Sequence, residues 1–183
     1  MTRWKWKRIA GVAMFLGLLA PFDAASQSTA EWPQFRGLTA GVAEDHPALP
    51  DTWSTTENVA WATEIPGLGW SSPIVSGDYV FVTSAISAGN EREPIPGLYD
   101  PGASSGKTRS TAAHRWMVYS LDFETGRVLW TRELEGIVPP EMKHLKNSFA
   151  SETPVTDGRR VYVYFGSIGL VAAVNMSGET VWT

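Results

Sequence analysis

The sequence predicts an all-β protein built from four-stranded antiparallel sheets, and three observations support this prediction. The 183 residues include 17 glycines, 12 prolines and 9 tryptophans, a composition that suits many turns and repeated large packing anchors. Short β-rich runs alternate with turn residues, and groups of these runs repeat along the chain. The hydrophobic fraction of 43% and the charged fraction of 19% are globular values, which exclude a disordered chain.

An internal repeat defines the architecture. Residues 72–82 align with residues 153–163 without a gap, and residues 118–130 align with residues 171–182 with one residue fewer at the turn. Each repeat therefore contains two hairpins around glycine-containing turns.

Four short strands account for each repeat. In the first repeat we expect strands A to D near residues 71–75, 79–85, 116–122 and 128–134. Repeated four-stranded meanders indicate a β-propeller, whose sheets are arranged radially as blades. A β-sandwich of two Greek-key sheets is the alternative, and the repeated hairpins favour the propeller.

The hairpin between strands C and D has a specific turn chemistry. Asp122 can accept hydrogen bonds from the turn amides, Thr125 can add a second local bond, and Gly126 can adopt a positive φ. Trp130, four residues after the glycine, then lies on strand D, where its ring can cover the junction with a neighbouring blade.

The same pattern recurs at two other places. Gly178 and Trp182 repeat the turn and the tryptophan in the second unit, and Trp61 precedes a Glu-aliphatic pair as Trp130 does. We therefore expect all three tryptophans to be mostly buried at blade junctions. Residues 58–65 would be a closing strand D.

These elements divide the chain. Blade 1 is predicted over residues 71–134 and an incomplete blade 2 over residues 150–183, within a partial propeller over residues 58–183. A propeller closes with about four to eight blades, so we expect the sequence to be the N-terminal part of a longer protein.

The N-terminus predicts export. Arg3, Lys5, Lys7 and Arg8 precede an apolar run over residues 9–20 and a small-residue stretch, the order of a cleaved signal peptide over residues 1–26. The run is shorter than the roughly 20 apolar residues of a membrane span. We therefore expect no membrane anchor after cleavage, with an extended segment over residues 27–57.

Charge and cysteine content limit the classes of partner and of chemical site that we expect. The formal net charge is −4, and the leader holds four basic side chains and one acidic side chain, so the remaining chain is more acidic still. Such a chain does not suit binding to phosphate backbones, and nucleic acid is not an expected partner. The absence of cysteine from the sequence excludes disulfides and thiolate sites.

Three stretches carry a resemblance to a known family. Residues 120–130 closely resemble the repeat of pyrroloquinoline-quinone-type propellers, a small residue followed by Asp, Thr-Gly and Trp. Residues 32–37, Trp-Pro-Gln-Phe-Arg-Gly, resemble the opening of a group of exported bacterial propellers of this type, and residues 144–154 are similar to another stretch typical of that group. The resemblance implies the fold and export to the periplasm or the extracellular space.

The resemblance leaves two activities open. The same repeat occurs in quinoprotein alcohol dehydrogenases and in a scaffold subunit of the outer-membrane protein assembly machine, which binds no quinone. The vicinal cysteines of many such dehydrogenases have no counterpart here, and no local motif for a quinone or calcium ligand is present. We expect a binding or protein-interaction scaffold without a cofactor; the alternative is a periplasmic oxidoreductase that uses pyrroloquinoline quinone with calcium.

Loop directions locate the candidate binding face. In a meander the D-to-A and B-to-C connections emerge on one side, and the long connections 86–115 and 135–148 both lie there, where binding residues usually occur. The candidate contacts to an unknown protein or small-molecule ligand are Trp70, Ser71, His144, Lys146, Asn147 and Ser148. The alternative is that these groups satisfy loop backbone and meet water. The residue patterns predict no catalytic or metal-binding residue.

Overall fold

The computed structural model describes residues 30–43, 45–90 and 107–183. The predicted signal peptide and residues 91–106 of the first long connection lie outside the described residues. The strands are short and separated by turns; they are β1 (Glu31–Trp32), β2 (Ile74–Ser76), β3 (Tyr79–Ser87), β4 (Lys107–Thr108), β5 (His114–Asp122), β6 (Val128–Ile137), β7 (Lys143–His144), β8 (Val155–Thr156), β9 (Arg160–Phe165), β10 (Leu170–Asn175) and β11 (Thr180–Trp182).

The strands form two antiparallel meanders and one small ribbon. The first sheet has the order β1-β2-β3-β5-β6, the second has the order β11-β10-β9-β8, and β4 pairs with β7. Strands A to D of the two blades are therefore β2, β3, β5, β6 and β8, β9, β10, β11. The predicted fold class is confirmed: the described residues are all-β, without helices, and form part of a β-propeller.

The two blades pack face to face. Side chains alternate between the two faces of a strand, and one face of blade 1 presents Phe81, Trp116 and Val118 to Val161 and Phe165 of blade 2 in a single buried cluster. Phe81, Trp116, Val118, Val161 and Phe165 are all fully buried. Burial of this apolar area against the neighbouring blade is the main stabilising term at the junction.

The opposite face of blade 1 packs against the N-terminal segment. Met117, Tyr119 and Leu121 are buried there, with Trp61 and Ile65 packed against them. Blade 1 is thus covered on both faces.

The structure corrects the predicted closing strand. Residues 58–65 contain no strand, because no strand C of the described chain lies beside them to complete a ladder. Side-chain hydrogen bonds, rather than a strand ladder, attach this segment to blade 1. Trp61 Nε1 donates a 2.9 Å hydrogen bond to the Phe123 carbonyl, and Thr63 Oγ1 donates a 2.7 Å bond to the Gly126 carbonyl. The preceding segment also departs from a fully extended form, since turns occupy residues 34–41.

The indoles of Trp61 and Trp130 occupy equivalent places over two successive turns. Trp61 lies over Gly126, where an added Cβ would come within 2.3 Å of the ring, and Trp130 lies over Gly178, where it would come within 2.7 Å. Trp130 Nε1 donates a 2.9 Å bond to the Met176 carbonyl, as Trp61 does to Phe123. Each turn therefore receives an indole from the segment before it.

Trp182 differs from the expectation that it is mostly buried. Its side chain is 43% exposed on β11, and its ring lies 6.2 Å from that of Tyr162 in the same sheet. Packing within its own blade covers only part of an indole, which is why the repeat pattern alone overestimated its burial.

Candidate functional site

The candidate site is a cleft of about 270 Å³ at the junction of the two blades. The connection between β6 and β8 lines one side, and Gly166 and Ser167, between β9 and β10, line the other. These are a D-to-A and a B-to-C connection, so they emerge on the same side of the sheets. The cleft therefore lies on the face where the sequence predicted binding.

The small ribbon fixes the start of the cleft wall. Lys107 lies opposite His144 and Thr108 lies opposite Lys143, so the first long connection is tied to the second. The Lys143 side chain is buried, and its Nζ lies 5.4 Å from the centre of the Phe149 ring, a cation–π arrangement. The wall is thereby attached to the core beneath it.

His144 presents a donor to the cleft. Its Nδ1 accepts a 3.2 Å hydrogen bond from the Lys146 backbone amide, which places the proton of the neutral ring on Nε2. A tight turn supports this geometry, since the Asn147 amide donates to the His144 carbonyl at 2.9 Å. The exposed Nε2–H is available to an acceptor on a ligand.

A hydroxyl and amide network forms the floor. Ser148 Oγ accepts a 3.2 Å bond from the Ala150 amide and lies 3.2 Å from Ser151 Oγ, which donates to Asn147 Oδ1. Because the Asn147 carbonyl oxygen is held by this bond, its amide NH₂ group faces outward as the donor. The loop geometry therefore fixes which end of the Asn147 amide is offered.

Glu152 is a cleft residue that the sequence analysis missed. Its Oε1 accepts a 3.1 Å bond from the Gly166 amide, and its Oε2 accepts a 3.2 Å bond from the Ser151 amide. The repeat alignment contained a signal for it, because Glu152 aligns with Ser71 of the first repeat, a predicted contact. The carboxylate joins the two connections across the cleft.

The structure brings together half of the predicted contacts. His144, Asn147 and Ser148 line the cleft, whereas Lys146, Trp70 and Ser71 do not. Ser71 Oγ instead accepts a 2.9 Å bond from Thr83 Oγ1 of the adjacent strand. Trp70 is 54% exposed, and its amide donates to the Ala150 carbonyl at 3.0 Å, which positions the loop behind Ser148.

The cleft is lined by polar and charged side chains. It combines donors on His144 and Asn147 with carboxylates on Glu141 and Glu152. Within residues 30–43, 45–90 and 107–183, no group of three or more His, Asp or Glu side chains could hold a metal ion. These features suit hydrogen bonding to a polar ligand or peptide.

The two carboxyl groups whose pKa values are lowered lie away from the cleft, in hairpin turns. A hydrogen bond from the Thr125 side chain lowers the pKa of Asp122. The Arg159 amide, followed by the Tyr162 hydroxyl, lowers the pKa of Asp157 to about 2. Both shifts arise from bonds that close the turns, so they report turn structure.

The comparisons with known proteins agree with the architecture. Residues 114–183 match a family model described as outer membrane protein assembly factor BamB, whose repeat is PQQ-like. No curated protein matches the chain. The described part of the chain contains no helix with the length and hydropathy of a membrane span. The match spans blade 2 and strands C and D of blade 1, and it supports a PQQ-like repeat over residues 114–183.

Proposed function

We propose that this protein is an exported, non-enzymatic binding scaffold whose partner contacts the junction cleft. One observation carries the proposal: at the blade junction, the β6–β8 connection gathers His144, Asn147, Ser148 and Glu152 in one cleft, opposite Gly166 and Ser167 of the β9–β10 connection. Binding residues are commonly placed on loops that a rigid scaffold positions.

The order of the cleft supports a binding role. The four side chains named above are each held by a hydrogen bond within the loops, so little side-chain freedom is lost when a ligand binds. The matched family is described as an assembly factor, a description that suits contact with another protein. Export rests on the signal pattern of residues 1–26.

The alternative function is a quinone-dependent oxidoreductase. Its calcium and quinone need a set of carboxylate and amide oxygens around one cation. The described residues do not fit that requirement, because the cleft holds only Glu141 and Glu152 and the oxygens of Glu152 already accept backbone bonds.

A photo-crosslinking experiment tests the proposal. A benzophenone amino acid is introduced at Asn147 in the cleft and, as the matched control, at Glu124 in an exposed hairpin turn on the opposite side. We expect a discrete crosslinked partner from position 147 and none from position 124. Equal crosslinking from both positions would contradict the assignment of the binding face.

Affinity measurements then test the residues. Against the crosslinked partner, Asn147→Ala should weaken binding about fivefold, the cost of about 1 kcal/mol for one hydrogen bond, while Glu124→Ala should not change it. A titration with pyrroloquinoline quinone and calcium tests the alternative. Saturable quinone binding with dye-linked alcohol oxidation would overturn the scaffold proposal.

A further inference from the structure

The N-terminal segment makes a contact that the junction cleft does not explain. Strand β1 pairs antiparallel with β2, with Glu31 opposite Ser76 and Trp32 opposite Val75. β2 is strand A of blade 1, so β1 extends the sheet on the side of strand A. We call this side the A edge.

The same segment also reaches blade 2. The Gly77 amide, at the end of β2, donates a 3.0 Å bond to the Ala30 carbonyl, and the Thr156 amide of β8 donates a 2.9 Å bond to the Pro33 carbonyl. β8 is strand A of blade 2. The four-residue segment 30–33 therefore bonds to the A edges of both blades.

Side chains add selectivity to these main-chain bonds. Ser76 Oγ, which is buried, donates a 3.3 Å bond to Glu31 Oε1. Pro33 has no N–H that would require an acceptor. Its carbonyl accepts the hydrogen bond from the Thr156 amide. The Trp32 ring folds over Gly37 at a positive φ of 62°, which closes the segment into a turn.

We propose that the two A edges together form a binding site for an extended peptide, and that residues 30–33 fill it in cis. An edge strand offers unpaired amides and carbonyls to any extended chain, and strand addition is an established mode of peptide recognition. The ladder of β1 is only two residues long, so its occupant can be exchanged. In the occupant seen here, an acidic residue accepts a bond from Ser76, an aromatic ring packs on its own turn, and a proline carbonyl accepts a bond from Thr156.

The proposal goes beyond the scaffold function, because it concerns a second site with its own ligand chemistry. The junction cleft is lined by connections between strands, whereas the A edges use the backbone of β2 and β8. A ligand bound at one site leaves the other uncovered.

A peptide-binding experiment tests the proposal. The probe is a fluorescein-labelled peptide with the sequence of residues 30–38, Ala-Glu-Trp-Pro-Gln-Phe-Arg-Gly-Leu. The test protein is the chain with Glu31→Ala and Trp32→Ala, which weakens the cis segment. The control carries Phe35→Ala and Leu38→Ala, two side chains 62% and 71% exposed outside the ladder.

Anisotropy should show saturable binding to the test protein and at least about tenfold weaker binding to the wild type and the control, because a tethered segment competes at about millimolar effective concentration. A peptide with alanine in place of tryptophan and proline should not bind. Failure of the folded test protein to bind the probe, or equal binding by the wild type, would overturn the proposal.

Amide exchange gives a second readout if the double variant does not fold. In the wild type the Gly77 and Thr156 amides should exchange slowly, and Gly37→Ala should release both, since its Cβ would lie 2.7 Å from the Trp32 ring. Gly169→Ala is the matched control, with φ +65° and open space. Fast exchange of either amide in the wild type would overturn the cis contact.

Sedimentation separates two sources of the peptide. A heterodimer of wild-type and test chains would support the site and assign its ligand to the N-terminal segment of a second copy. Monomers that bind the probe would support the site and assign its ligand to another chain. Probe binding that survives excess unlabelled peptide would contradict a specific site.

Discussion

Blades 1 and 2 close their C-to-D hairpins with the same device built from different residues. In blade 1, Asp122 Oδ1 accepts bonds from the Thr125 amide at 2.8 Å and from its hydroxyl at 2.6 Å. In blade 2, Asn175 Oδ1 accepts bonds from the Ser177 amide at 3.1 Å and from its hydroxyl at 2.8 Å. The second turn is one residue shorter, yet its pattern is retained.

The glycine and the indole above it are the common element. Gly126 and Gly178 have φ values of 68° and 86°, and each lies beneath the ring of Trp61 or Trp130. The comparison teaches that the acceptor and the turn length can vary. The glycine beneath the ring cannot vary, because a methyl group added at that position would overlap the ring.

Alanine at the turn glycines should have the largest effect. Gly126→Ala should lower the free energy of unfolding by about 3 kcal/mol, since a left-handed residue costs about 1–2 kcal/mol and displacing the Trp61 ring adds an overpacking cost of about 1–3 kcal/mol. Gly178→Ala should cost somewhat less, because its closest ring contact is 2.7 Å rather than 2.3 Å. Urea unfolding measures both.

Gly169→Ala isolates the backbone contribution. Gly169 also has a positive φ, but a Cβ added there would meet no atom within 4 Å, so its substitution should cost about 1 kcal/mol. Equal losses at Gly126, Gly178 and Gly169 would show that the indoles contribute nothing to the glycine requirement.

Truncation of the tryptophans should give a graded series. Trp61→Ala and Trp130→Ala should each cost about 2–3 kcal/mol, below the roughly 3–5 kcal/mol of a fully buried ring, because both are half-buried. Trp182→Ala should cost about 1 kcal/mol by the same reasoning, since the ring is 43% exposed. Thermal unfolding ranks the three, and a loss at Trp182 that equals the loss at Trp130 would contradict the difference in their environments.

The two blades also differ at a buried position, where blade 1 has a hydroxyl group and blade 2 does not. Ser120 is fully buried and its Oγ has no hydrogen-bond partner, while the equivalent residue of blade 2 is the fully buried Ala173. Ser120→Ala should leave stability unchanged or raise it by up to about 1 kcal/mol, because it removes an unsatisfied polar group. A clear destabilisation in urea unfolding would reveal a bond at this hydroxyl.

The smallest expected effect is a dependence on pH in the A-to-B turn of blade 2. Bonds from the Arg159 amide, the Tyr162 hydroxyl and the Arg160 amide lower the pKa of Asp157 to about 2. Because the folded value lies below the unfolded one, the stabilisation is complete above about pH 4 and is lost as the pH falls through about 2. Asp157→Asn should flatten this acid dependence.

Carboxyl carbon NMR measures the pKa of Asp157 directly. Tyr162→Phe should raise the pKa, which should stay below its ordinary value because the two backbone amide bonds remain. Titration of Asp157 at its ordinary value in the folded wild type would refute the turn geometry.

Local sequence signals predicted the strands well. The hairpins that join β2 to β3 and β5 to β6 follow from β-rich runs and from tight turns such as Asp122 to Gly126, both of which act within a few residues. The packing of Trp61 and Trp130 on the turns could be predicted from the internal sequence repeat. The closing strand at residues 58–65 failed because a ladder also needs a neighbouring strand, which no local pattern specifies.

The candidate site was less predictable than the fold. Topology placed His144, Asn147 and Ser148 on the face that carries the cleft, but the direction of the Lys146 side chain depends on how the turn around it is anchored to the fold. Glu152 was missed because its partner, the Gly166 amide, lies in another connection. The pairing of residues 31 and 32 with β2 was missed for the same reason.

Indole N–H exchange tests most directly the claim that successive repeats are docked by tryptophans. The Nε1–H groups of Trp61 and Trp130 donate to turn carbonyls, and the buried Trp116 donates to Phe149 as an internal standard. NMR should show slow exchange for Trp61 and Trp130, approaching that of Trp116, and fast exchange for Trp182. Fast exchange at Trp61 and Trp130, equal to that of Trp182, would contradict the account.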